Sequence, residues 1–388
     1  MEVTVHMRDK FSMNVRSKFR QLALVTALVA ATSSAMAADR KIMILQSLTG
    51  VASFVGVPAV NAMKLLVEEL NAKKVFGADR LVIEVADSAS ARAQAVAAVT
   101  RAAADPEILA IMGPTTAVEA IPAASIANDA KIPMMSFGIA LGILKPGPWS
   151  FIANQPPQIT MPQLGDYVLD KVKPKSCATI RYSDNEAYVD LERIFVEYTE
   201  PKGIKYIERT GVKQADSDFS AIATRIVATK PDCVILFTLA PSAANLVIQL
   251  KQAGLPASTR LIGQTGLSSS SLVSIGGAAV EGIVFNSDWV PGGSSAEGRA
   301  FAANYKKATG TDADSLAAGG YSHLMVLATA IKNASPNPTR EKIRDALTHT
   351  KDVPVVVGSG RYSFKDDRIP VFGSNILQVK NGQFVAAP

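Results

Sequence analysis

Hydroxyl-bearing residues and glycines recur where short apolar runs end. Gln46-Ser47-Leu48-Thr49-Gly50 closes the first run, with Ser53 and Phe54 just beyond it, and Gly113-Pro114-Thr115-Thr116 closes the run Ile108 to Met112. Ser136-Phe137-Gly138 ends the next. In the second half, Tyr182 to Tyr188, Thr238-Leu239 and Gly263-Gln264-Thr265-Gly266 stand in equivalent places. A helix N-terminus presents unpaired backbone N–H groups and a positive dipole end, so hydroxyls that open a helix there make a receptor for a carboxylate. The plainer role of Thr115 or Thr116 is a helix cap, and one residue can do both jobs. Gly138 permits close approach of backbone to ligand, while Phe137 is either a pocket wall or core.

Other chemistries lack their residues. The three histidines are His6, His323 and His349; the first falls in the leader, the second in an apolar helical run where packing or capping is its simplest use, and the third in an exposed stretch. General acid–base work by histidine and a histidine metal site are poorly supported. The nucleophile-elbow, Ser-x-x-Lys, P-loop and dinucleotide-fingerprint motifs are absent. The adjacent acids Glu68-Glu69 and Asp366-Asp367 cannot both point into one site and read as solvated faces. The expectation is a binding protein with no catalysis, no cofactor and no metal.

The loops need elements to hold them. The 388 residues, 48% hydrophobic and 19% charged, suit soluble globular material and suggest two domains. Residues 1–37 read as a cleavable secretory signal peptide: Arg16, Lys18 and Arg20 precede an apolar stretch from Leu22 to Ala31, and Ala35-Met36-Ala37 forms the cleavage signal. The whole chain carries a net charge of +6, part of which leaves with that leader. The remaining basic residues are scattered among acids, so nucleic acid is not an expected partner. From Lys41 onward β-branched runs alternate with amphipathic stretches, which predicts an α/β protein with parallel sheets. Strands are expected at Ile42 to Leu45, Leu81 to Val85, Ile108 to Met112 and Pro133 to Ser136. A second series runs from Cys177 to Arg181 through Cys233 to Phe237 and on to Gly282 to Phe285. The first helix is expected from Val57, with Pro58 at its start. Breaks at Gly142 to Pro162, Asn286 to Ser295 and Thr350 to Gly360 are candidate crossings. They divide the chain into one lobe of 38–154 plus 288–349 and another of 155–287 plus 350–388. Open sheets bind ligand beyond the carboxyl ends of their strands, so two facing lobes make a cleft.

Gln46-Ser47-Leu48-Thr49-Gly50, Gly113-Pro114-Thr115-Thr116, Ile132-Pro133-Met134-Met135-Ser136, Asp218-Phe219-Ser220 and Gln252-Ala253-Gly254-Leu255 occur in the order and spacing of one family. In them the chain resembles the periplasmic leucine/isoleucine/valine-binding proteins of ABC importers, from about Lys41 to the C-terminus. The resemblance implies a type I periplasmic-binding fold: two Rossmann-like lobes with parallel central sheets, joined by three hinge crossings. It also implies a soluble periplasmic monomer that closes on a small molecule and delivers it to a membrane permease.

In amino-acid-binding members the ligand carboxylate meets a hydroxyl and amides at the loops matching Thr115-Thr116 and Ser136 to Gly138, and those features survive. The α-ammonium meets groups at positions matching Ala140, Leu239 and Thr265, and all three differ here. An unpaired ammonium in a closed cleft costs several kcal/mol. The expected ligand is therefore a small organic acid without an α-ammonium, in a box formed by Phe54, Phe137, Tyr188 and Leu239. Resemblance to members that carry aromatic acids makes a benzoate-like or phenylpropanoid-like acid the leading choice. The alternative is an amino acid, with Asp87, Asp184 or Glu186 supplying the charge; a ligand-sensing module of the same fold is a further one. Cys177 and Cys233 begin the first and third strands of the second series, where bridging and a free buried pair are both open, since a pair directly across parallel strands often has poor geometry.

Overall fold

A computed structural model describes residues 39–388 apart from Ser294; the leader reading of residues 1–37 lies outside them. The first sheet comprises β1 (Asp39–Gln46), β2 (Arg80–Asp87), β3 (Ile108–Met112), β4 (Met134–Ser136) and β5 (Ser150–Ile152), parallel throughout and ordered β2-β1-β3-β4-β5. Its helices are α1 (Ser53–Ala72), α2 (Arg92–Ala104) and α3 (Ala117–Asp129). β3 is apolar throughout and almost wholly buried, as expected of a parallel strand covered on both faces.

The chain then builds α4 (Pro157–Tyr167), β6 (Ser176–Tyr182), α5 (Glu186–Thr199), β7 (Lys205–Val212), α6 (Ser220–Thr229), β8 (Cys233–Phe237), α7 (Ala240–Gln252), β9 (Arg260–Gly263), α8 (Ser270–Gly276) and β10 (Val284–Ser287). It returns to the first sheet as α9 (Ala296–Thr309), α10 (Ser315–Asn333) and α11 (Arg340–Thr348). A small sheet follows, β11 (Val353–Pro354), β12 (Arg361–Phe364) and β13 (Pro370–Val371), and the chain ends in β14 (Asn375–Lys380) and β15 (Gln383–Ala386). The second large sheet is ordered β15-β14-β10-β9-β8-β6-β7; β6 to β10 are parallel and the last two strands antiparallel. Two Rossmann-like lobes therefore face each other, the type I architecture. Among the described residues no helix is long and apolar enough to cross a membrane.

α1 and α10 pack closely because Gly320 lets their backbones touch: a Cβ there would lie 2.5 Å from the Ala59 carbonyl oxygen. Cys177 and Cys233 are register partners on β6 and β8 and form a disulfide, with Cα atoms 4.6 Å apart.

Three expectations need correction. α1 starts at Ser53, so Pro58 lies inside it and not at its first turn. Pro146 to Pro162 do not break all structure: β5 forms, α4 starts on Pro157, where a missing N–H is harmless, and the first crossing shrinks to the few residues between β5 and α4. The third crossing is not at Thr350 to Gly360. Val353, Val355, Val357, Tyr362 and Phe372 are buried in the cluster formed by α1, α9, α10 and α11. Tyr362 donates to the Ala153 carbonyl at 3.0 Å and Arg368 to that of Ser150 at 2.7 Å, which ties 353–371 to the first lobe. The chain crosses for the third time only beyond Phe372, where the Gln155 amide oxygen accepts the amides of Phe372 and Gly373 at 3.1 and 3.2 Å.

Candidate ligand site

A cavity of about 130 Å³ lies between the lobes beside the crossings. Seven of the ten residues expected in the site line it: Thr115, Thr116, Phe137, Gly138, Tyr188, Leu239 and Thr265. Ser53, Phe54 and Ser136 do not. Ser53 and Phe54 fall in the first turn of α1, and the neighbouring Val55 reaches the cavity instead. Ser136 is wholly buried, donating to the Pro114 carbonyl at 3.0 Å and accepting the Gly138 amide at 2.9 Å.

The hydroxyls do less than their types suggested. Thr115 donates to Gln46 Oε1 at 2.7 Å and accepts the Ser47 amide at 2.7 Å. Thr116 caps α3, and its hydroxyl and amide donate to Glu119 Oε2 at 2.7 and 2.9 Å in a capping box. Glu119 is fully buried and also accepts from Ser47. The capping box thus takes the Thr116 hydroxyl proton, Gln46 takes that of Thr115, and Ser136 takes the Gly138 amide.

Helix ends remain. The cavity is lined by the N-cap or first residues of α3 (Thr116, Ala117), α5 (Asn185, Ala187), α7 (Leu239) and α10 (Ser315, Leu316). A free end carries the equivalent of about +0.5 charge, but the carboxylates of Glu119 and Asp314 already meet the ends of α3 and α10. Among the described residues no lysine or arginine lines the cavity. The apolar wall comes from both lobes: Phe137 meets His323 edge-on with ring centres 4.9 Å apart, and Tyr188 meets Tyr182 edge-on at 5.0 Å. Burial pushes the Tyr188 hydroxyl well above its ordinary pKa, so it stays protonated.

Asp87, Asp184 and Glu186 do not line the cavity. Asp87 holds its own loop, accepting the Leu48 and Ala89 amides at 2.8 and 2.7 Å, and Asp184 accepts the Gln214 amide at 3.2 Å. The acid that lines the cavity is one the sequence did not single out, Asp288, which follows β10 in the second crossing. Burial raises its pKa to about 7. His323, expected to be simple packing, also lines the cavity, and burial lowers its pKa to about 3. In sequence neither differs from an aspartate after a strand or a histidine in an apolar helix.

The chain is 27% identical over 353 residues to a Leu/Ile/Val-binding protein of Rhizobium johnstonii, covering 90% of this chain and 94% of the relative. It superposes with a TM-score of 0.82, at 22% identity, on a branched-chain amino acid transporter substrate-binding protein of Streptococcus pneumoniae in complex with isoleucine, covering 89% and 97% of the two chains. It superposes with a TM-score of 0.81, also at 22% identity, on a solute-binding protein of Rhodopseudomonas palustris in complex with 3,4-dihydroxy benzoic acid, covering 89% and 95%. Residues 40–383 match the periplasmic binding protein family as a whole, and the chain belongs to that family.

Proposed function

We propose that this is the periplasmic solute-binding protein of an ABC importer, exported by its leader at 1–37, which closes its lobes on a small organic acid and passes it to a membrane permease without catalysis. The ligand class we favour is an aromatic acid, benzoate-like or phenylpropanoid-like, bound by a monomer. The observation that carries this reading is the meeting of helix N-termini at one cavity: Glu119 and Asp314 already answer the ends of α3 and α10, while those of α5, capped by neutral Asn185, and of α7, with no side-chain cap, keep their positive ends, and among the described residues no lysine or arginine lines the wall. That field favours a carboxylate and opposes a cation brought to the same ends. A cavity of about 130 Å³ is close to the roughly 150 Å³ that accepts benzene, so one ring or a short branched chain fits. The relatives of this shape carry isoleucine in one case and a dihydroxylated benzoic acid in another, so the fold leaves the ligand class open and the cavity must decide it.

A branched-chain amino acid is the second reading, and Asp288 is the observation in its favour, as an acid able to meet an ammonium. A thermal-shift panel of benzoate, phenylpropanoate, short aliphatic acids and leucine separates the two. The favoured reading expects stabilisation by the aromatic acids and their recovery unchanged after incubation. Stabilisation by leucine alone, or consumption of a ligand, contradicts it.

A further inference from the structure

Two side chains on the cavity wall have polar atoms with no hydrogen-bond partner among the described residues: Asp288 through Oδ1 and His323 through both ring nitrogens. Asp288 is 7% exposed and His323 1%. Both line this one cavity, and main-chain contacts tie the segment around Asp288 to the neighbours of His323. The Gly358 amide donates to the Asp288 main-chain oxygen at 2.7 Å, Gly358 is pressed against the Phe372 carbonyl, and the His323 ring lies 6.2 Å from that of Phe372. A buried donor or acceptor with nothing to bond weakens a fold, and native proteins hold few of them. Two facing one cavity mark where polar atoms of a ligand belong.

The chemistry of the pair narrows those atoms. A neutral imidazole offers one N–H donor and one bare nitrogen acceptor, and a carboxyl oxygen accepts. Burial keeps His323 neutral. An ammonium has protons to give but no lone pair, so it leaves the imidazole N–H unanswered. A bare ring or alkyl group answers neither. A hydroxyl does both, giving its proton to one member and accepting from the other.

We propose that Asp288 and His323 read a hydroxyl group on the ligand, making a hydroxylated aromatic acid the preferred class. This rests on the aromatic-acid reading above and adds the residues that choose among such acids.

Calorimetric titration at about pH 8, above the Asp288 pKa of about 7, with benzoate, m-hydroxybenzoate, p-hydroxybenzoate and the two corresponding phenylpropanoates tests it on the unaltered protein. At least one hydroxylated acid should bind about tenfold or more tighter than its unsubstituted parent. In Asp288→Ala and in His323→Phe that advantage, read within each variant as the ratio of hydroxylated to parent affinity, should shrink. Equal affinity of parent and hydroxylated acids in the unaltered protein overturns the inference and leaves the aromatic-acid reading standing, with water as the partner of these atoms. An advantage that persists in both variants overturns it as well. Binding of leucine with no aromatic acid bound overturns the earlier reading and this one with it.

Discussion

Asp314 of one lobe faces Ser269 of the other. Its carboxylate caps α10, accepting the Leu316 and Ala317 amides at 3.1 and 3.0 Å, and it stands close enough to Ser269 and Ser270 at the start of α8 for them to act on its titration. The start of α8, capped by its own Ser269, thus meets the capped start of α10 across the two lobes. Asp314→Ala should leave α10 uncapped, lower stability by about 1–2 kcal/mol, and favour a more open molecule. Ser269→Ala should open the molecule too, with a loss of about 1 kcal/mol from the α8 cap that its hydroxyl gives the Ser271 amide. Solution scattering of the ligand-free proteins checks this; unchanged radii of gyration in both variants would show that the contact does not hold the lobes together.

The two unpaired cavity groups give opposite pH trends. Asp288 has its pKa raised from 3.8 to about 7 by burial, so its contribution to stability is present below about pH 4 and lost as pH rises towards 7. His323 has its pKa lowered from 6.5 to about 3 by burial, so its contribution is present above about pH 6.5 and lost as pH falls towards 3. Each trend is worth on the order of 4 kcal/mol at full extent, and they offset one another between about pH 4 and 6.5. Asp288→Asn should therefore lose stability on acidification below about pH 6.5, and His323→Gln should lose it on raising the pH from about 4 to 7. Urea midpoints across that range decide, and profiles in both variants that match the unaltered protein would contradict the assignment.

Cys177 and Cys233 lie 56 residues apart in sequence, and the bridge between them restricts the unfolded chain. Loop-closure entropy for that separation is about 4 kcal/mol. Cys177→Ala with Cys233→Ala should lower stability by about 2–4 kcal/mol and leave ligand affinity within about twofold, because neither residue lines the cavity. Calorimetric unfolding and one titration measure both effects. A double variant as stable as the bridged protein would contradict the role given to the bridge.

How far the fold can be read from sequence follows from what each residue's pattern says locally. β3 and β8 are continuous apolar runs, and Thr115-Thr116 before α3 is a helix start in type and spacing, so the sheets and several cavity loops are legible. The third crossing is not. Val353 and Val355 to Val357 are an apolar run broken by Pro354 and ended by glycines, which reads as a connection, and only the position of α10 reveals which lobe buries them. The use of the Thr115 hydroxyl is equally hidden, because Gln46 lies 69 residues away, whereas Thr116 with Glu119 three residues on has the spacing of a capping box. Asp288 and His323 are the extreme case. What marks them is the lack of a partner, a property of the assembled cavity and not of any segment.

The central claim is that the cavity selects a carboxylate without an α-ammonium. Titrating the ligand-free protein in one calorimeter with phenylpropanoate and then with L-leucine tests it most directly. The predicted result is heat and one-to-one saturation with the aromatic acid, and leucine at least about a hundredfold weaker, as expected when an ammonium loses its hydration without full pairing. Tight leucine binding that Asp288→Ala abolishes would contradict the claim, since it would make Asp288 the ammonium's partner.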